Sequence, residues 1–248
     1  TNRWRPLARP LALGPAVVAW TGHEVLYWGG GCCASVNPRG TAYDPATDSW
    51  RQLPVAPIRP GFGAGGVWTG TEFIVFGGST ATENGLIKEA AAYNPATNTW
   101  RRLASLPAPR LSASVTWTGT EVLVVGGFAS GLNAPSSDGV AYNPATNRWR
   151  TLPKMPTPRA EHSAVWTGHY LLVWGGYVAN LSDGERTSPP HGLAYDPVTN
   201  KWLSLPAAPL RGRVGALAVW TGNTMIVWGG LGNAKPTVYL LDGATYRP

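Results

Sequence analysis

Short apolar runs of four or five residues recur along the chain between turn residues, and none keeps a helical 3.6-residue period. The run Ala16-Val17-Val18-Ala19-Trp20 is followed by Thr21-Gly22-His23-Glu24. A second run, Val25-Leu26-Tyr27-Trp28, then ends on Gly29-Gly30. The pattern returns at Trp68–Gly78, Trp117–Gly127, Trp166–Gly176 and Trp220–Gly230, with leading tryptophans 48, 49, 49 and 54 residues apart. A period near fifty marks a repeat architecture. After each glycine pair come a loop of varying length, a short run closing on Ala-Tyr, an Asx-Pro turn and a run with a second tryptophan. The Ala-Tyr pairs are Ala42-Tyr43, Ala92-Tyr93, Ala141-Tyr142 and Ala194-Tyr195, and the tryptophans are Trp50, Trp100, Trp149 and Trp202. Glycine after threonine supplies the positive φ that a hairpin turn needs, while an Asx side chain bonds its own backbone and proline presets φ. Four β-rich runs per repeat predict a four-stranded antiparallel sheet, and five repeats make the chain all-β.

Thr1-Asn2-Arg3-Trp4-Arg5-Pro6-Leu7 matches Thr47–Leu53 and Thr146–Leu152, so it reads as a fourth strand standing alone. At the other end Gly243-Ala244-Thr245 aligns with Pro45-Ala46-Thr47, which makes Val238–Leu241 a third strand. Pairing Trp4–Leu7 beside Val238–Leu241 would complete the fifth sheet and close five four-stranded blades into a ring without exposed edges. The blades are then about 11–54, 59–106, 110–153, 159–206 and 211–245 plus 1–7, within a single domain 1–248.

Glycine (31) and proline (23) fall at fixed places in each repeat and serve as punctuation, not as low-complexity sequence. The formal charge of +7 comes from sixteen arginines and only four lysines, which favours anionic partners. No helix-turn-helix, zinc-finger spacing or ribonucleoprotein motif accompanies it, so no nucleic acid is expected. No stretch approaches eighteen apolar residues, so no membrane insertion is expected either. Cys32 and Cys33 are adjacent and cannot staple distant segments. Free thiols are the expectation, with a strained bridge or a surface metal contact as alternatives. Four histidines without an H-x-H or H-E-x-x-H spacing, and Asx-Pro turns too neutral for calcium, predict no metal and no cofactor.

The glycine pairs, a tyrosine about fifteen residues later and a tryptophan seven positions beyond it resemble the kelch repeat, and the likeness covers essentially the whole chain. Pro109-Arg110 and Pro158-Arg159, and more loosely Arg59 and Arg211, also look like kelch. The resemblance implies a β-propeller. Known kelch propellers mostly have six or seven blades, whereas five is the number supplied here. It implies that the tryptophans pack between blades. It also implies that the second-to-third-strand loops share one face with the connections between blades. Those loops are 31–41, 79–91, 128–140, 177–193 and 231–237, and the connections carry Arg9, Arg59, Arg110, Arg159, Arg211 and Arg213. The tryptophan-threonine-glycine phrasing and the arginine preference look bacterial, and many such propellers are exported.

Guanidinium groups around a channel mouth suit bidentate recognition of carboxylate or phosphate. The competing reading is that they bond blade-edge carbonyls and hold the ring together. The candidate ligand-binding set is Arg59, Arg110, Arg159, Arg211, Arg213, His162, Arg186 and His191, with Asp183 and Glu185 in the same long loop as the last two. The expected function is a monomeric, non-catalytic module that binds an acidic peptide, protein segment or anionic glycan. A second reading, from kelch-like sialic acid epimerases, is a small sugar-acid-processing enzyme with Glu161 or His162 as acid/base. A third is a pure scaffold, natural or engineered. No G-x-S-x-G elbow is present, and the copper ligands of galactose-oxidase-like propellers cannot be assembled.

Overall fold

The computed structural model describes residues 4–8, 17–29, 39–80, 85–129, 134–179, 186–232 and 238–248. The chain divides into two compact units, Thr1–Leu111 and Ser112–Pro248. In the first, β1 (Val17–Trp20), β2 (Val25–Trp28), β3 (Arg39–Asp44) and β4 (Ser49–Val55) form one sheet in chain order. The next sheet is β5 (Gly65–Trp68), β6 (Phe73–Phe76), β7 (Ala90–Asn94) and β8 (Thr99–Arg102). All neighbours are antiparallel, and the register sets Val25 opposite Tyr43 and Tyr43 opposite Trp50. Leu26 and Trp28 of the first sheet pack with Phe73, Val75 and Tyr93 of the second, so the core lies between sheets.

The turns follow the chemistry of their residues. Thr21 Oγ1 accepts the Glu24 N–H at 3.0 Å, and Asp44 Oδ1 accepts the Ala46 N–H at 2.8 Å. Asp48 and Asn98 take left-handed φ values of 51° and 54°, which short polar side chains tolerate. Each also accepts the hydroxyl of the tyrosine five residues earlier, at 2.6 Å from Tyr43 and 2.8 Å from Tyr93. One Asx residue thus bends the backbone and fixes the tyrosine against which the tryptophan packs at a tilt, with centroids 4.9 Å apart for Tyr43–Trp50 and 5.2 Å for Tyr93–Trp100.

The second unit opens with β9 (Ser114–Trp117), β10 (Val122–Val125), β11 (Gly139–Asn143) and β12 (Arg148–Thr151) as one sheet. β13 (Ala160–Trp166), β14 (Leu171–Ala179), β16 (His191–Asp196) and β17 (Lys201–Ala207) form the next, with β15 (Arg186–Thr187) paired to the end of β14. The last repeat is different. Its strands alternate between a small sheet of β18 (Arg213–Val214), β21 (Leu231–Gly232) and β22 (Val238–Tyr239) and a three-stranded sheet of β19 (Leu217–Trp220), β20 (Met225–Trp228) and β23 (Gly243–Tyr246).

This corrects the alignment of the fifth repeat. Val238–Tyr239 belongs to the small sheet, and the third strand is Gly243–Tyr246. Tyr246 lies opposite Met225 as Tyr43 lies opposite Val25. Gly243 therefore corresponds to Gly139 of the third repeat, not to a turn proline. The expected strand at Trp4–Leu7 does not form. Arg5 pairs with Asp48 at 2.5 Å, the Ala8 N–H donates to Asp48, and Trp4 is fully exposed. Of the leading tryptophans, Trp68, Trp166 and Trp220 pack against core clusters, whereas Trp20 is half exposed. Among the described residues no helix is long and apolar enough to cross a membrane.

Candidate functional site

The segments that enter each first strand carry the linker arginines, and backbone geometry fixes their alignment. The Gly78 N–H donates to the Arg110 carbonyl and the Gly127 N–H to the Arg159 carbonyl, both at 2.8 Å. A Cβ on Gly175 would lie 2.7 Å from the Arg213 carbonyl, so glycine is required where strand end and linker meet. Two residues beyond these arginines the φ angle is positive: 54° at Ser112, 55° at Glu161 and 62° at Gly215, with 61° at Gly63. Gly61, Arg110, Arg159 and Arg213 thus occupy one position, and Arg59 and Arg211 stand two residues ahead of it. Sequence could not reveal this register, because only two of the four positive-φ residues are glycine.

The aligned arginines are interior groups. Arg159 is fully buried, donating from Nη1 to the Gly175 carbonyl at 2.9 Å and from Nη2 to the His191 carbonyl at 3.1 Å. Burial pushes its pKa down to about 10. Arg213 is also fully buried. It pairs with Asp242 at 2.6 Å, donates to the Gly229 carbonyl at 3.1 Å, and lies 5.8 Å from the Trp174 ring. The hydrogen bond from Arg213 holds the Asp242 carboxyl below the usual carboxylate range. Arg110 is buried and reaches the Pro109 carbonyl at 3.4 Å. By contrast Arg211 is exposed, and Arg59 is exposed beside Glu89, with Nε 3.3 Å from the carboxylate. His191 is half-buried, and its carbonyl serves Arg159. Arg186 pairs through its backbone with Ala179. The Arg186 side chain, Arg9, Cys32, Cys33, Asp183 and Glu185 lie outside the described residues.

Glu161 and His162 are neighbours in β13 with separate environments. The Glu161 side chain is exposed. Its N–H donates to the Ser112 carbonyl at 3.2 Å, and its carbonyl accepts the Gly215 N–H at 3.0 Å. His162 is buried with Nε2 2.9 Å from Ser114 Oγ, and its Nδ1 has no hydrogen-bond partner among the described residues. Burial, reinforced by the Arg159 charge, pushes its pKa down to about 3. At neutral pH the ring is uncharged and shielded, a poor starting point for proton transfer to a solvent-borne substrate. Sequence gave no sign of Ser114, Asp242 or Glu89 as partners, because all three contacts span about 30 residues or more. Among the described residues no three His, Cys, Asp or Glu side chains gather in a way that could hold a metal ion.

Comparison with protein families matches residues 14–230 to the KLHDC2/KLHL20/DRC7 Kelch-repeats domain. Among solved structures, that of YjhT superposes with a TM-score of 0.81 at 16% identity, covering 99% of this chain and 85% of the other. Comparison with curated proteins gives no significant match.

Proposed function

The chain belongs to the kelch-repeat family, and on that premise we propose that it is a five-bladed binding module whose exposed linker arginines, Arg59 in the first unit and Arg211 in the second, each attract an acidic peptide. The count of five rests on the five copies of the repeat in the sequence. The observation that carries the binding reading is the division among the linker arginines. Arg159 and Arg213 spend their guanidinium groups on carbonyls and Asp242 inside the fold. Arg59, whose Nε also meets Glu89, and Arg211 stay at the surface of a chain with net charge +7. Exposed guanidinium groups pair with carboxylates bidentately and draw an anionic partner in at a distance. Acid/base processing of a sugar acid has less support, because His162 is buried and Glu161 contributes its backbone to the connections between strands.

Titration of the full chain with a labelled oligoglutamate peptide tests the proposal. Saturable binding that weakens with added salt, and by about tenfold in an Arg59→Glu, Arg211→Glu double variant, is the expected result. Binding indifferent to both, or none, overturns it. Binding confined to a sulfated glycan fragment run in parallel would also overturn the peptide assignment.

A further inference from the structure

Arg159 and Arg213 sit in matching cradles of the fourth and fifth repeats. Each is fully buried and donates to the first glycine of its repeat's pair, the Gly175 carbonyl at 2.9 Å and the Gly229 carbonyl at 3.1 Å. Each also donates to the residue just before the third-strand glycine, the His191 carbonyl at 3.1 Å and the Asp242 carbonyl at 3.3 Å. In the fifth repeat a side chain completes the cradle. Asp242 Oδ1 accepts from Arg213 Nη1 at 2.6 Å and Oδ2 from Nη2 at 3.3 Å, while Nε donates to the Arg211 carbonyl at 3.0 Å. In the fourth repeat nothing takes these places among the described residues. Arg159 Nε has no hydrogen-bond partner, and burial is what moves the guanidinium's pKa, with no carboxylate acting on it. The residue in the Asp242 position is His191. That position is acidic in the second, third and fifth repeats, as Glu89, Asp138 and Asp242, and it is Arg39 in the first. Glu89 likewise meets a linker arginine, Arg59. With a pKa of about 10, Arg159 stays charged at neutral pH. The fourth repeat thus keeps a buried cation without the carboxylate that the fifth provides, whereas buried charges are ordinarily paired.

We infer that the Arg159 cradle is a binding site for a small carboxylate anion, which takes on Arg159 the place that the Asp242 side chain holds on Arg213. The fifth repeat shows both the fit and the way in. The Arg213 side chain is wholly buried while that of Asp242 is 57% exposed, so a carboxylate reaches such a guanidinium from the surface. In the fourth repeat the ligand enters past the half-buried side chain of His191. Two oxygens in one plane meet the two Nη groups, a pairing that a carboxylate makes bidentately. One guanidinium, in a cradle of a size that an aspartate side chain fills, favours a planar monoanion no larger than formate or acetate. The site is distinct from the exposed Arg59 and Arg211, and the inference does not depend on the acidic-peptide reading.

The test follows the melting of the full chain across a sodium formate series at constant ionic strength. A saturable rise is expected, of about 3 °C at a tenfold excess over the dissociation constant. His191→Asp, which supplies the missing carboxylate from the chain itself, should melt higher at the start and lose the formate response. A parent that does not respond, or a variant that responds as the parent does, overturns the site. Should His191→Asp fold poorly, Asp242→His keeps the question open to refutation. It empties the second cradle and should respond to formate more than the parent, and an equal response overturns the site. A rise that sodium chloride reproduces in place of formate, and that His191→Asp removes, would overturn the carboxylate assignment in favour of a halide.

Discussion

In the fourth repeat Leu172 and Trp174 are 1% and 5% exposed, whereas at the matching positions of the fifth Ile226 and Trp228 are 36% and 56% exposed. The runs at these positions are alike in sequence, Leu171-Leu172-Val173-Trp174 and Met225-Ile226-Val227-Trp228. What differs is what lies against them: the face with Leu172 and Trp174 is covered by Met225, Val227 and their neighbours, while the described residues place no such sheet over Ile226 and Trp228. The glycine that follows behaves in the same way. Gly175 and Gly229 share a φ of 67°, yet a Cβ on Gly175 would press on the Arg213 carbonyl at 2.7 Å while one on Gly229 would meet nothing nearer than 3.6 Å. A repeat's sequence therefore specifies a sheet, and a neighbouring repeat turns that sheet into a core. This is the behaviour of quasi-one-dimensional proteins, whose stability is largely an interface sum.

The comparison can be broken by removing what the fourth repeat has and the fifth lacks. Trp202→Ala takes away the stack on Tyr195 and the hydrogen bond to Pro153, and it opens the cluster around Leu171 and Leu193. A loss of about 4 kcal/mol in urea unfolding is expected, against no measurable change for Trp4→Ala. Next in size, Gly175→Ala should cost about 3 kcal/mol, adding overlap to the left-handed strain, while Gly229→Ala should cost only the strain, about 1 kcal/mol. Equal costs would mean that the interface is not what demands glycine.

Between pH 6.5 and 5 a smaller effect appears, and it grows with further acidity. His162 belongs to the fourth repeat, and the residue at its position in the fifth is Ala216. Its folded pKa of about 3 lies below the ordinary histidine value of 6.5, so the unfolded chain binds the extra proton first. Stability from this group is complete above about pH 6.5 and drains away as pH falls toward 3, by up to about 1.4 kcal/mol per pH unit. His162→Gln should flatten the stability profile between pH 6.5 and 4, and an unchanged slope would show that the ring is already protonated in the fold. The smallest effect belongs to the exposed face. Trp228→Gln should shift stability by less than about 1 kcal/mol, read as a melting temperature nearly unmoved.

The repeat period, the strand order within the sheets of the first four repeats and the spacing of the paired tyrosines and tryptophans were legible in the sequence, because each follows from local turn chemistry and alternation within about fifty residues. The third strand of the fifth repeat was misplaced for the same reason. Leu240-Leu241-Asp242-Gly243 looks like strand followed by turn, and the extra small sheet of Arg213–Val214, Leu231–Gly232 and Val238–Tyr239 has no counterpart in the earlier repeats to warn of it. The candidate site was less legible. The pattern picked out the linker arginines but not their positions in depth. Arg213, two residues after the one matched by sequence, holds the interior place, and Arg211 remains at the surface. Burial is set by residues 16 to 32 positions away, and no spacing rule reports them.

The hydrogen bond from Trp202 to Pro153 is one of three such indole-to-carbonyl contacts, and they have a direction in time. Each tryptophan leans on a backbone carbonyl that precedes it: Trp50 on Ala8, Trp100 on Pro54, Trp202 on Pro153. A chain emerging from the ribosome therefore always finds its support already made. Through this contact each repeat can lock onto the one before it as it emerges, although its sheet is covered only when the next repeat arrives, and domains that fold as they are synthesised do so from the N-terminal side. The same asymmetry sets the order of loss. A repeat can release its own tryptophan without unseating the one before it, so fraying should travel from the C-terminal repeat backward.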